Sequence, residues 1–463
     1  TEFDLIAQRE EKTMAVLNII QEILSTPAVL VALIALIGLL LQKKPAADTI
    51  RGTIKSFLGF IVLSAGADVI VTSLAPLGGM FQEAFHTAGV VPNNEAIIAV
   101  ALKEYGQVTA LIMFFGMFAN ILIARITRFK YVFLTGHHTL YMACMIGVIL
   151  ITIGMSTAAT VVVGAVALGI VMVLFPALAQ PTMKKITKSD DVAFGHFSTI
   201  GYWSSAMIGK LVGKNSKSTE EIEFPKSLAF LRDSSVSISL TMVIFYLILA
   251  LFCGPDYVKN NWSDGTNYIM FSITKGIQFA AGVFIILQGV RLILAEIVPA
   301  FKGISERLIP NAKPALDCPI VYTFAPNAVL IGFFSSFVGG IVGMIILILT
   351  GGIIILPGVV PHFFCGATAG VFGNANGGVK GAVFGSFING LMLTFAPLLL
   401  MPLLGDLGYQ GTTFSDLDFI ASGFLIGKAG QLGPIAATIF VFGVLAVMIA
   451  VSIKKPGRKE SES

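Results

Sequence analysis

Charge is scarce in this sequence: 12% of its 463 residues are charged, against roughly 25% in a soluble domain. With 56% hydrophobic residues and a mean hydropathy of +0.88, the apolar surface exceeds what a soluble fold of this length can hide. Lipid must cover part of it. Cysteine is equally sparse. Cys144, Cys253, Cys318 and Cys365 have no metal-type spacing and read as reduced packing residues. There is no phosphate-cradling Gly-x-x-x-x-Gly-Lys-Ser/Thr, no nucleophile elbow, no metal-type His/Glu pairing and no nucleic-acid module. These absences argue against a nucleotide hydrolase, a serine hydrolase, a metalloenzyme and a nucleic-acid binder; neither cofactor nor metal is expected. No cleavable leader pattern is evident, and the polar Thr1–Thr13, ahead of Met14, is left out of the fold argument.

What is abundant is apolar runs and glycine, 48 residues of it, which lets transmembrane helices approach closely. Runs of roughly 17–25 residues mark spans, and about eleven are expected. They lie near Ile20–Leu41, Ile54–Leu74, Val108–Ile126, Tyr131–Gly154, Ala158–Leu178, Ser235–Gly254, Tyr268–Ile297, Ala328–Leu349, Ile353–Phe372, Ala382–Leu404 and Gly433–Ile453. Every second connection is basic: Lys43, Lys44 and Arg51 after the first, Arg125, Arg128 and Lys130 after the third, and Lys184 to Arg232 after the fifth. The positive-inside rule then puts the N-terminus outside and the C-terminus in the cytoplasm of a bacterial-type inner membrane. Three long connections, Pro76–Gln107, Pro181–Ser234 and Pro299–Asn327, read as re-entrant hairpins or surface helices.

The chain also resembles itself at an offset of about 223 residues: Gly59 aligns with Gly282, Gly66 with Gly289, Pro76 with Pro299 and Glu83 with Glu306. At a slightly larger offset His137 meets His362 and Asp191 meets Asp416. Five spans separate the partners, so the halves run in opposite directions, the plan of alternating-access transporters. The expected fold class is therefore an all-α polytopic membrane protein with inverted five-helix repeats. Its expected divisions are 1–48 (extension and first span), 49–254 (first repeat), 255–267 (external loop) and 268–463 (second repeat and tail).

Ionisable groups inside spans cost about 2.5–3.5 kcal/mol each, so each invites a role. Asp68 and its repeat partner Arg291 read either as a buried ion pair or as solute contacts. Thr135-Gly136-His137-His138 interrupts an apolar run, and a neutral imidazole offers one donor and one acceptor, suited to a hydroxyl; packing against a neighbouring helix is the alternative. Asp317, before Cys318-Pro319, reads as a helix cap or as an acceptor for a hydroxyl proton. Asn94 and Glu95, after Pro92, form a second cap signature related by the repeat. Gly195-His196-Phe197-Ser198-Thr199 is a polar, re-entrant candidate or a plain loop.

Thr135-Gly136-His137, Gly303-Ile304-Ser305-Glu306-Arg307-Leu308-Ile309-Pro310 and Asp317 followed by Tyr322-x-Phe324-Ala325-Pro326-Asn327-Ala328-Val329 resemble the IIC permease component of the ascorbate-type phosphotransferase system. The resemblance runs from about Gly52 to the last span. It implies a homodimer whose core domain, carrying a small polyhydroxy solute, moves elevator-fashion against a scaffold in the lipid. It further implies separate IIB and IIA proteins that phosphorylate the solute, this chain having no phosphorylation site of its own. By position it carries solute contacts onto His137, Asp317, Gly66 with Ala67, and Ser198 with Thr199; Asp317, as the acceptor of the hydroxyl proton, is the catalytic candidate. Tyr141-Met142 and Phe197-Ser198-Thr199 stand where the ascorbate permease is glutamine-rich, so Tyr141 joins His196, Asn94 and Glu95 as a candidate contact and the hydrogen-bond pattern differs. An ion-coupled secondary transporter, or a related permease for another sugar or polyol, is the alternative reading.

Overall fold

The computed structural model describes residues 27–86, 89–222, 233–409 and 411–453. The chain is mostly helical. Its main helices are α1 (Pro27–Leu41), α2 (Ala46–Phe85), α3 (Asn94–Ile126), α4 (Gly136–Thr152), α5 (Thr157–Thr187), α6 (Thr199–Val212), α7 (Ser234–Cys253), α8 (Pro255–Asn261), α9 (Tyr268–Leu308), α10 (Pro319–Tyr322), α11 (Pro326–Thr350), α12 (Ala367–Phe395), α13 (Leu417–Gly430) and α14 (Pro434–Ile453). Seven helices among the described residues are long and apolar enough to cross a membrane, or eight if the pair α7–α8, bent by 102°, is one span. That is fewer than the sequence pattern suggests. Part of the expected first span lies outside the described residues. The fourth folds as a helix of 17 residues, α4. The ninth and tenth meet in one helical stretch, in which α12 reverses at Gly377–Gly378.

The reversal is a glycine property. Gly378 has φ +56° and ψ −149°, a backbone open essentially to glycine alone. The Ser386 hydroxyl donates to the Gly366 carbonyl at 3.1 Å, twenty residues earlier, so 367–376 and 379–395 are antiparallel legs.

Glycine also sets the pairing of α2 with α9. A Cβ on Gly59 would stand 2.7 Å from the Gly289 carbonyl oxygen, and one on Gly66 2.8 Å from the Ile286 backbone nitrogen and 3.1 Å from the Gly282 carbonyl. Gly59 thus meets Gly289 while Gly66 meets Gly282, which makes the crossing antiparallel. Lipid supplies no hydrophobic drive between helices, so this close approach is what holds them. Both helices continue through their internal prolines, Pro76 and Pro299, to Phe85 and Leu308. The long connections are accordingly shorter than expected, and they contain strands.

Among the described residues six short strands carry the chain between helices: β1 (Gly89–Pro92), β2 (Tyr131–Phe133), β3 (Ala193–Phe194), β4 (Lys313–Leu316), β5 (Ile354–Ile355) and β6 (Thr412–Thr413). They form two parallel sheets, ordered β5-β1-β6 and β2-β4-β3. In each, the central strand comes from one half of the chain and both flanking strands from the other. Gly89 pairs with Ile354 and Val91 with Thr412; Tyr131 pairs with Lys313 and Ala193 with Ala315. Every strand runs into a helical segment, so all six ends deliver polar side chains and helix N-termini to one region. The four cysteines are free and buried.

Candidate functional site

The strand-to-helix ends surround a cavity of about 560 Å3. Its wall takes Asn94 and Glu95 from the β1 end, Thr135, Gly136, His137 and His138 from β2, His196 from β3, Asp317 from β4, Val360, Pro361 and Phe364 from β5, and Asp416 from β6. Leu287, Val290, Arg291, Ala295 and Pro299 of α9 form the remaining side. One part of the wall is therefore apolar and the rest dense in hydrogen-bonding groups.

The ends are tied to one another. Asn93 caps α3, its side chain accepting from the Ala96 amide at 2.7 Å. Its neighbour Asn94 donates through Nδ2 to Asp416 Oδ1 (2.8 Å) and accepts from the Ser415 amide (3.0 Å). The Ser415 hydroxyl also donates to Asp416 Oδ1, at 2.6 Å. That oxygen is thereby saturated, while Oδ2 faces His196 Nδ1 at 3.7 Å and His138 Nε2 at 4.0 Å. Asp416 is 2% exposed, and Asn94 and Ser415 hold its carboxylate in place from inside the protein.

His138 has its tautomer set by the backbone. The Phe197 amide donates to His138 Nδ1 at 3.2 Å, so a neutral ring carries its proton on Nε2, the atom turned to Asp416. The ring stacks on Phe419 with planes 11° apart and lies 3.8 Å, centroid to centroid, from His196. Tyr202 Oη pairs with His196 Nδ1 at 2.8 Å. His137 stands nearer the opening: its Nε2 lies 3.5 Å from Asp317 Oδ2, with both side chains about a quarter to a third exposed. Asp317 Oδ1 accepts from the Cys318 amide at 2.7 Å and leaves Oδ2 for the cavity; it does not cap α10 as expected, because that helix starts from Cys318 with no side-chain cap. Glu95 is buried, and its Oε2 has no hydrogen-bond partner among the described residues.

Three groups of these residues have ligand atoms close enough for a metal: His137–His138–Asp317, His138–His196–Asp416 and His196–Asp317–Cys318. In the first two, the Phe197 amide already occupies the lone pair of His138 Nδ1 and leaves the ring proton on Nε2. In the third, the Cys318 thiol is turned to the Phe364 carbonyl, 4.0 Å away. The cluster is better described as a hydrogen-bonding array than as a coordination sphere.

Of the candidates read from sequence, the cavity brings together His137, Asp317, Asn94, Glu95 and His196. Four others stand elsewhere. Gly66 serves the α2–α9 crossing, where a side chain has no room. Tyr141 is 1% exposed, one turn behind His137, its ring 5.8 Å from that imidazole. Ser198 and Thr199 begin α6. The Ser198 hydroxyl accepts from the Leu417 amide (3.3 Å), and Asp418 accepts from the Thr199 and Ile200 amides (2.8 and 2.9 Å), so α6 and α13 cap each other. The side chain of Ala67 lies outside the described ones. Asp68 is paired with Lys103 at 2.6 Å, not with Arg291, which instead lines the cavity. His362, the repeat partner of His137, is buried against the Ser336 hydroxyl at 2.8 Å, away from the cavity. Asp416 is the residue that sequence reasoning missed. Its Ser415-Asp416-Leu417-Asp418 setting reads as an ordinary helix start, and only the repeat match with Asp191 pointed at it.

The sequence is similar to known proteins. Over 415 aligned residues the chain is 26% identical to the ascorbate-specific PTS system EIIC component of Mycoplasma pneumoniae, an alignment covering 78% of this chain. The chain spans 62% of the length of that relative. Residues 22–418 match the family described as the PTS system sugar-specific permease component, and the chain belongs to that family.

Proposed function

We propose that this chain is the membrane permease of a phosphoenolpyruvate-dependent phosphotransferase system, importing a small polyhydroxy solute that a separate IIB protein, recharged by IIA, phosphorylates. The observation that carries the reading is the cavity at the strand-to-helix ends. His138 Nε2–H and Arg291 are donors there; Asp416 Oδ2 and Asp317 Oδ2 are acceptors. A hydroxyl both donates and accepts, so a ring bearing several hydroxyls satisfies such an alternating set, with its carbon face against Val360, Pro361 and Phe364. L-Ascorbate has this form, and the Mycoplasma relative bears its name.

The chemistry asks little of the chain itself. The phosphoryl group leaves the sulfur of a IIB phosphocysteine: the P–S bond breaks, a P–O bond forms on a solute hydroxyl, and the thiolate departs. The hydroxyl proton passes to Asp317, whose Oδ2 is unbonded and beside His137. Phosphorylation keeps the product from returning. Interlocked sheets and the antiparallel α2–α9 pair support an inverted-repeat plan, in which a core built of the six strand ends moves elevator-fashion against a dimeric scaffold, with the N-terminus outside and the C-terminus inside. Vesicle uptake tests the reading. Accumulation of phosphorylated solute that requires phosphoenolpyruvate supports it; accumulation driven by a sodium or proton gradient alone would assign the cavity to an ion-coupled transporter.

A further inference from the structure

Lysines gather where α12 reverses. Lys185 Nζ, on the last turn of α5, donates to Asn376 Oδ1 at 2.8 Å. The Val379 amide donates to the Lys217 carbonyl (2.8 Å) and the Lys380 amide to the Ser216 hydroxyl (3.1 Å). Gly213, at the end of α6, packs against Gly377. The ends of α5 and α6, the segment 213–218 and the turn of α12 are thus one bonded surface. It presents Lys185, Lys188, Lys210, Lys214, Lys217 and Lys380, all exposed and none in an ion pair among the described residues.

The acids nearby are engaged elsewhere. Asp190 bonds Lys184 and Lys313. Asp191 accepts from the Ser189 hydroxyl at 2.7 Å. Glu220 caps α11 through the Asn327 and Ala328 amides, both at 3.1 Å, and Glu221 accepts from the Ser218 amide at 3.0 Å. Asp191, Glu220 and Glu221 keep their charge in these bonds, but the six unpaired lysines outnumber them, so the face is net positive. Between Lys210 and Lys214 in sequence, Leu211 is 81% exposed. An exposed apolar side chain beside charged ones suits a protein-binding patch of anchor and polar rim.

The sheet β2-β4-β3 joins this face to the cavity. At its start the Lys313 amide bonds the Lys130 carbonyl (2.7 Å) and the Lys313 ammonium bonds Asp190. Asp190 also holds Lys184, the neighbour of Lys185. At its far end the same strands deliver Thr135, His196 and Asp317 to the cavity wall. Strands of this length span about 10 Å.

We infer that this lysine face docks the phosphorylated IIB protein, through an acidic surface beside its phosphoryl group. The inference rests on the phosphotransferase reading and names the surface that reading lacks. Charge complementarity of this kind raises the association rate and fixes orientation, and both fade with salt.

The test uses the full chain in phosphatidylcholine nanodiscs and, as probe, the purified phosphorylated IIB protein of the same system, with binding read by interferometry. Lys214→Glu, Lys217→Glu and Lys380→Glu together should weaken IIB binding by about tenfold or more, and wild-type binding should weaken as salt rises from roughly 50 to 300 mM. Solute affinity by calorimetry should stay within about twofold of wild type, since none of these three lysines lines the cavity. IIB affinity unchanged in the triple variant overturns the inference. So does a variant that loses only its retention of anionic phosphatidylglycerol, which would make the face a lipid-headgroup surface. If the triple variant also loses solute binding, photo-cross-linking from position 211 decides: capture of IIB supports the inference and its absence overturns it. A wild type that binds no IIB and accumulates solute without phosphoenolpyruvate would remove the functional reading itself, a separate outcome.

Discussion

Replacing Asp416 with asparagine preserves the side chain's shape and removes its charge. In the wild type, Oδ1 takes hydrogen bonds from Asn94 Nδ2 and the Ser415 hydroxyl at 2.8 and 2.6 Å, and Oδ2 faces His196 and His138 at 3.7 and 4.0 Å. An asparagine oxygen can keep only one of these sides. With the oxygen toward Asn94, the amide NH2 meets His138 Nε2–H, donor against donor, and a solute hydroxyl placed there loses its acceptor. Turned the other way, NH2 meets the Asn94 amide. A buried donor left without a partner costs about 1–3 kcal/mol, which corresponds to roughly 5- to 150-fold in affinity. Part of the cost falls on the empty protein, so the melting temperature should drop as well. Calorimetry on the purified chain with the solute that wild type binds measures the affinity directly. An affinity within about twofold of wild type would refute the reasoning and return Asp416 to a purely structural role.

His138→Gln should be mild and His138→Phe severe. The glutamine amide can accept from Phe197 and donate to the cavity, whereas phenylalanine strands the Phe197 amide at a cost of about 1–3 kcal/mol; melting temperature and solute affinity together separate the two. Asp317→Asn should abolish phosphorylation-coupled uptake while the chain still folds, and wild-type uptake in that variant would remove Asp317 from the site. Asp418→Asn should cost about 1–3 kcal/mol of stability, because the asparagine oxygen can accept from only one of the Thr199 and Ile200 amides, seen as a lower melting temperature with solute affinity retained. Burial disfavours the ionised form of Asp190, but hydrogen bonds from Lys184, Lys313 and Gln180 more than offset it and hold its carboxyl down at about 2. A depressed carboxyl stabilises the fold above its unfolded value near 4 and loses that contribution as pH falls through about 2. With the side chain 43% exposed, solvent screening keeps the contribution below about 1 kcal/mol. Asp190→Asn should therefore lower the melting temperature by a constant small amount from neutral pH to about pH 5, and the gap should close below pH 4.

The helices were legible because lipid imposes long apolar runs, and the glycines of α2 and α9 were legible because close crossings tolerate nothing larger. The role of Gly66 was not, since a packing glycine and a cavity glycine look alike in sequence. Strands of two to four residues are too short for any alternation to show, so β1 to β6 disappeared into the polar connections. The site followed the same divide. His137, Asp317, Asn94, Glu95 and His196 stood out as polar groups beside breakers in apolar sequence. Asp416 did not, because its partner Asn94 is 322 residues away and a helix start explains it locally. Ser198 and Thr199 drew notice for the right polarity, but the Ser198 hydroxyl and the Thr199 amide are consumed in the exchange of caps with α13, and the Thr199 hydroxyl donates to the His196 carbonyl. Asp68 found Lys103 on the neighbouring α3, a pairing that a repeat alignment with Arg291 could not show.

Uptake into sealed, inside-closed vesicles loaded with the phosphotransferase proteins tests the central claim most directly. With phosphoenolpyruvate present and every ion gradient collapsed, the solute should accumulate inside as its phosphate ester, and Asp317→Asn vesicles should accumulate none. Unmodified solute accumulating in response to an ion gradient, with phosphoenolpyruvate making no difference, would contradict the account.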